Sequence, residues 1–150
     1  MDKQRRKRNI LLFGLYCALM FWLLFDRPDF AGDAPYWDQV QQNLNLVPLR
    51  TIRLYIRLLT EVPDPKFIPH AVINLFGNII MFIPLGLLLP QVFPKLHRLW
   101  KVLLTTALVI CAVELIQLLT LVGSLDIDDL ILNVLGSAMG YGLYRLTVKT

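Results

Sequence analysis

Three predominantly apolar runs, residues 71–93, 99–122 and 130–148, constrain this chain more than any other feature. A helix rises ~1.5 Å per residue and a bilayer's hydrocarbon core is ~30 Å thick, so each run is long enough, or nearly so, to cross it. A fourth run, residues 10–25, is shorter and is read as a span as well. With 56% hydrophobic and only 17% charged residues, the chain is too apolar for an ordinary soluble domain.

The run at residues 10–25 follows a basic tail, which is the outline of a secretory signal peptide. The stretch after it, DRPDFAGDAP, lacks a good small-x-small cleavage site, so an uncleaved anchor is expected. Spans over about 10–25, 70–93, 99–122 and 129–148 would make the whole chain, residues 1–150, one domain.

Cations set the orientation, because Lys and Arg beside spans stay on the cytoplasmic side. With both termini inside, Lys3, Arg5, Arg6, Lys7, Arg8, Lys95, Arg98, Lys101, Arg145 and Lys149 are internal. Arg27, Arg50, Arg53, Arg57 and Lys66 are external. The net charge of +4 is therefore a topology signal. It does not describe a nucleic-acid surface, since no base-stacking aromatics interleave the basic tail. Cys17 and Cys111 fall inside spans and are expected to pack as small hydrophobes, in neither a disulfide nor a metal site.

The first outer loop contains LVPLRTIRLYIRLL, with Leu49, Ile52, Ile56 and Leu59 at helical spacing and Arg50, Arg53 and Arg57 on another face. This predicts an amphipathic helix at the outer membrane surface. Its arginines either solvate one face or clamp an anion, since the guanidinium fork matches phosphate and carboxylate oxygens. Within the spans, Gly136 and Gly140 form a small-xxx-small face for close helix approach, and Gly14 with Ala18 suggests another. Pro84 should deprive the Ile80 carbonyl of its partner and bend or unwind the second span, with Gly86 easing the distortion.

Polar residues inside the spans fall at one depth. Counting from the outer ends at ~1.5 Å per residue, Asn74 and Asn133 lie roughly 6 Å down, Gln117 roughly 8 Å, and Asn78 and Glu114 roughly 12 Å. Asn74 with Asn78, Glu114 with Gln117, and Asp129 with Asn133 are three or four apart and so share helix faces. A carboxylate at such depth costs a few kcal/mol, on the order of ~3, unless it faces the bundle interior or water. Glu114 is therefore read as functional; the alternative is hydrogen-bonded glue between helices.

Above these residues lies GSLDIDDLILN. Asp126 is a good N-cap for the last span, and Asp128 and Asp129 complement the positive end of its dipole. The motif has more acids than capping needs, which invites a divalent cation or a polar head group, though no spacing is diagnostic of a metal. If Asp128 and Asp129 act on a ligand, changing them to Asn should cost stability no more than about 1 kcal/mol.

NLFGNIIMFIPLG, then ELIQLL, then DIDDLILNVLGSAMGY, with NLVPLRTI upstream, together resemble the VanZ-like family of bacterial membrane proteins. That family is named for a member linked to teicoplanin resistance. The resemblance covers roughly residues 45–141. It implies a four-span bundle in the bacterial cytoplasmic membrane and marks Asn78, Glu114, Gln117, Asp126, Asp128, Asp129 and Asn133 as recurring polar positions.

The expected fold is thus an all-α membrane protein: a compact bundle of four transmembrane helices plus an amphipathic helix in the first outer loop. Two functions compete. In one, Glu114, Asp129 and Asp128 are catalytic, and Asn74, Asn78, Gln117, Asn133, Asp126, Arg50 and Arg53 bind the substrate. That substrate is a lipid head group or a lipid-linked cell-wall intermediate. Ser124 and His70 are available near the mouth, but no Ser-His-Asp or metal-hydrolase spacing connects them. In the other, the same pocket binds without chemistry, or its polar residues are mainly structural. A transporter fits poorly, since four spans without an inverted repeat leave little room for alternating access. The sequence names no cofactor and no oligomeric state.

Overall fold

The computed structural model describes residues 3–25, 33–61 and 65–147. The stretch searched for a cleavage motif lies mostly outside them, as do Arg27 and Lys149 of the cation count. Helices dominate: α1 (Lys3–Phe25), α2 (Tyr36–Gln42), α3 (Arg50–Thr60), α4 (Ile68–Val72), α5 (Asn78–Val92), α6 (Leu99–Thr120) and α7 (Ile127–Thr147). Two strands of two residues each, β1 (Leu44–Asn45) and β2 (Leu125–Asp126), pair in parallel.

Among the described residues, three helical stretches are long and apolar enough to cross a membrane: Lys3–Phe25, Ile68–Val92 and Leu99–Thr120. The fourth expected span is α7, whose 21 residues suffice in length. Its apolar character is diluted by Asp128, Asp129, Asn133, its glycines and Arg145.

At the centre, α5 packs most extensively against α7, while α1 lies against α5 and α6 against α7. Glycines permit this closeness. A methyl added at Gly136 would overlap the Ile79 carbonyl, one at Gly140 the Ile83 carbonyl, and one at Gly86 the Ser137 carbonyl. The expected face on α7 is therefore real, and Gly86 answers it from α5 rather than relieving Pro84. Gly14, by contrast, meets nothing within 4 Å, so the close approach expected at Gly14 and Ala18 does not occur there. Alongside this seam Met20, Phe82, Leu85, Leu89, Val102 and Ile110 form the apolar core. Thr106 and Ser137, both fully buried, share a 2.8 Å hydrogen bond between α6 and α7. Leu15, Phe21 and Trp22 on α1, and Leu104, Leu108 and Leu115 on α6, stay exposed, as lipid-facing residues would.

The second span is irregular, but not where proline predicts. The chain stays α-helical through Pro84, and the departure is a π-helical turn at Ile73–Gly77, joining α4 to α5. Such turns recur at functional sites.

The basic segments share one end of the bundle. Asn9 near the start of α1 donates to Gln91 Oε1 at 3.0 Å, and Tyr141 on α7 donates to the His97 carbonyl at 2.9 Å. The opposite end collects α3, β1, β2 and the start of α7.

Candidate functional site

Parallel pairing of Leu44 with Leu125 and Asn45 with Asp126 brings the loop before α3 beside the acidic motif. The Leu125 N–H extends the pairing by donating to the Asn43 carbonyl at 2.9 Å. Each acid of the motif then has a different set of partners.

Asp126 stands at the start of α7, and its Oδ1 accepts the Asp128 N–H at 2.8 Å, an N-cap bond. The same oxygen accepts Asn45 Nδ2 at 3.0 Å, and its Oδ2 accepts the Thr51 hydroxyl at 2.6 Å. Asp126 thereby ties β1 and α3 to α7.

Asp128 is fully buried and caps a different helix from its own. Its Oδ1 accepts the Leu49 N–H at 2.5 Å, and its Oδ2 accepts those of Thr51 at 2.7 Å and Ile52 at 3.1 Å. The first N–H groups of a helix have no partner within it, and Leu49 has no side-chain acceptor to supply one. Leu49 also adopts a left-handed conformation, φ 64°, at the N-cap position ahead of α3, so it precedes that helix and is not one of its helical residues. Holding a residue with a Cβ there costs on the order of 1 kcal/mol or more, offset by charge-assisted bonds to Asp128. Asp128 is thus more than a complement to its own helix dipole.

Asp129 is half-buried, and its Oδ1 accepts Asn78 Nδ2 at 2.6 Å, which joins the first turn of α5 to that of α7. Glu114, buried in α6, accepts the Asp126 backbone N–H on Oε2 at 3.0 Å. This accounts for a carboxylate inside an apolar helix: the N–H it receives is buried and lies at the start of α7.

The other expected residues divide. Gln117 donates to the Leu24 carbonyl at 2.7 Å and so fastens α6 to the end of α1. Asn74 donates to the His70 carbonyl of its own helix at 2.9 Å. Asn133 is 4% exposed, with its Oδ1 buried and unpaired.

A polar cavity of about 230 Å³ opens at this end, lined by Asn43, Thr51, Tyr55, His70, Asn74, Gly123, Ser124, Asp126 and Asp129. It unites Asn74, Asp126 and Asp129 with the Ser124 and His70 of the mouth. The Tyr55 hydroxyl lies 3.4 Å from His70 Nε2, and the two rings meet edge to face. Burial first, then the negative Asp129 and Asp126, push the Tyr55 phenol above its ordinary value of 10.0. It therefore stays a neutral hydroxyl.

Arg50 and Arg53 do not reach this cavity. They line a separate groove with Val47, Pro48, Leu54, Ile56, Arg57 and Glu61. Among the described residues, no group of three or more His, Cys, Asp and Glu side chains is arranged to hold a metal ion. The acids are instead distributed among helix starts. Thr51 and Tyr55 escaped the sequence reading. Their signal was an i, i+4 polar pair on α3, on the side away from the arginines.

Residues 13–148 match the VanZ/LLP1 family. Protein VanZ of Enterococcus faecium is 28% identical over 138 residues, an alignment covering 92% of this chain and 74% of that protein. No solved structure matches the chain.

Proposed function

The chain belongs to the VanZ/LLP1 family, and on that premise we propose that it is a bacterial cytoplasmic-membrane protein that binds the polar head group of a lipid or lipid-linked cell-envelope component. In this reading an even number of spans puts both termini on one membrane side, the cations beside the spans favour the cytoplasm for that side, and the cavity then faces outward.

The observation that carries this reading is the polar cavity set at one end of otherwise apolar helices. At about 230 Å³ it is smaller than the roughly 300 Å³ at which drug-sized pockets begin, so it suits a head group better than a whole glycopeptide. Its hydroxyls, amides and carboxylates match hydroxyl and amine groups of such a head group. Teicoplanin susceptibility, which the family resemblance implicates, would then follow from what the protein binds at the cell surface.

Catalysis is the second reading, favoured by the contact of Tyr55 with His70 beside Asp129 and Ser124. It stands second because Asp126, Asp128 and Glu114 already accept backbone N–H groups, which gives them positional roles, and no nucleophile is assigned.

Mass spectrometry of co-purifying lipids tests both. One head-group class should be enriched over the bulk membrane and lost in Ser124→Trp, which fills the cavity. A bulk-like profile in both proteins would reject the binding reading. New products after exchange into a defined lipid extract would promote catalysis. A cysteine at Asp33 should react with an impermeant reagent in intact cells; reaction only after lysis would reverse the orientation.

A further inference from the structure

The groove on the far side of α3 has no role in the cavity. It measures about 590 Å³ and shares no lining residue with the polar cavity, so α3 separates the two. Three arginines, Arg50, Arg53 and Arg57, face one acid, Glu61. Arg57 is engaged with Glu61 at 2.9 Å, in a pair whose side chains are both more than 60% exposed. Such a pair contributes little and yields readily to a stronger anion.

We infer that this groove docks the phosphate of an anionic membrane lipid, so that α3 lies against the lipid surface on its arginine side while its other side borders the cavity. Two observations select this occupant. The groove has a net positive lining with three forked donors spaced along about two turns, which suits phosphate oxygens. It also carries Val47, Leu54 and Ile56, which are 56%, 52% and 49% exposed, and a free inorganic ion would leave these unused. A stripe of cations with open apolar side chains on either flank is a pattern of an interfacial helix, with its arginines at phosphate level and its apolar groups below. The start of α3 is not the anion site, because Asp128 already occupies its N–H groups.

This rests on the reading above only in placing α3 at the lipid surface. Native mass spectrometry of the detergent-solubilised full chain separates the outcomes. Phosphatidylglycerol should be retained about fivefold or more over zwitterionic phosphatidylcholine, and Arg50→Gln with Arg53→Gln should remove most of that preference without lowering the melting temperature. Inorganic phosphate or pyrophosphate should compete poorly. Equal retention of the two lipids, a preference unmoved in the double variant, or competition by free phosphate matching the lipid would each overturn the inference. Ser124→Trp keeps the phosphatidylglycerol preference if the inference holds, whatever becomes of the head-group reading.

Discussion

Asp128 and Thr51 stand 77 positions apart, and the carboxylate of the first accepts the backbone N–H of the second at 2.7 Å. One fully buried acid therefore supplies the cap that α3 cannot make for itself.

Replacing Asp128 should damage the fold more than a helix-dipole residue would. Asp128→Ala leaves three part-buried N–H groups without their acceptor and should cost about 2–3 kcal/mol. Asp128→Asn turns a donor toward donors and loses charge assistance, for about 2 kcal/mol. Asp126→Asn should cost about 1 kcal/mol, since Asn caps nearly as well and the Thr51 hydroxyl can reverse its bond. Thermal melting of the three in one detergent gives the order, and an Asp128→Asn melting point equal to wild type would contradict the capping role.

Gly140 and Gly142 offer a paired test of the α5–α7 seam. A methyl at Gly140 would overlap the Ile83 carbonyl, whereas one at Gly142 meets nothing within 4 Å. Gly140→Ala should therefore destabilise by about 1–3 kcal/mol as α5 and α7 are forced apart. Gly142→Ala should be neutral, or stabilise by up to about 1 kcal/mol through helix propensity. Matching melting shifts for the two would mean that the seam is looser than described.

Tyr55 links the cavity's charge to pH. Its folded phenol ionises above the ordinary value of 10.0, through burial first and then the Asp129 and Asp126 carboxylates. As pH rises, the unfolded chain ionises first. Tyr55's contribution to stability is thus intact below pH 10.0 and is lost as pH climbs toward the folded value. The phenolate absorbance titration of wild type minus Tyr55→Phe should show this high value, and Asp129→Asn should bring it closer to the ordinary one. A difference titration unmoved by Asp129→Asn would place Asp129 too far away to matter.

Much of the architecture was legible in the sequence. Run length alone marks the long helices, because helical rise and bilayer thickness are both fixed. The small-residue spacing of Gly136 and Gly140 marks the helix seam, and Asp126 ahead of an apolar run marks the start of α7. Counting residues from span ends also put Asn78, Glu114 and Asp129 near one end, where each is bonded at a helix start. Pro84 misled, because a missing N–H shows where a helix can break and not where packing makes it do so. The π-helical turn at Ile73–Gly77 has no comparable mark in the sequence.

What the sequence determined by itself is whatever depends on neighbours along the chain: helix lengths, caps, the faces that side chains share, and the concentration of polar groups near one end of the helices. Only the tertiary structure decided which partner each polar group took. Asp128 went to α3 rather than to its own helix, Gln117 to the end of α1, and Arg50 and Arg53 to the side of α3 opposite Thr51 and Tyr55. The reason is geometric. A helix fixes the angle between its own side chains, but the two-residue strand pairing that sets α3 against α7 fixes how α3 is turned, and with it which residues meet across the chain.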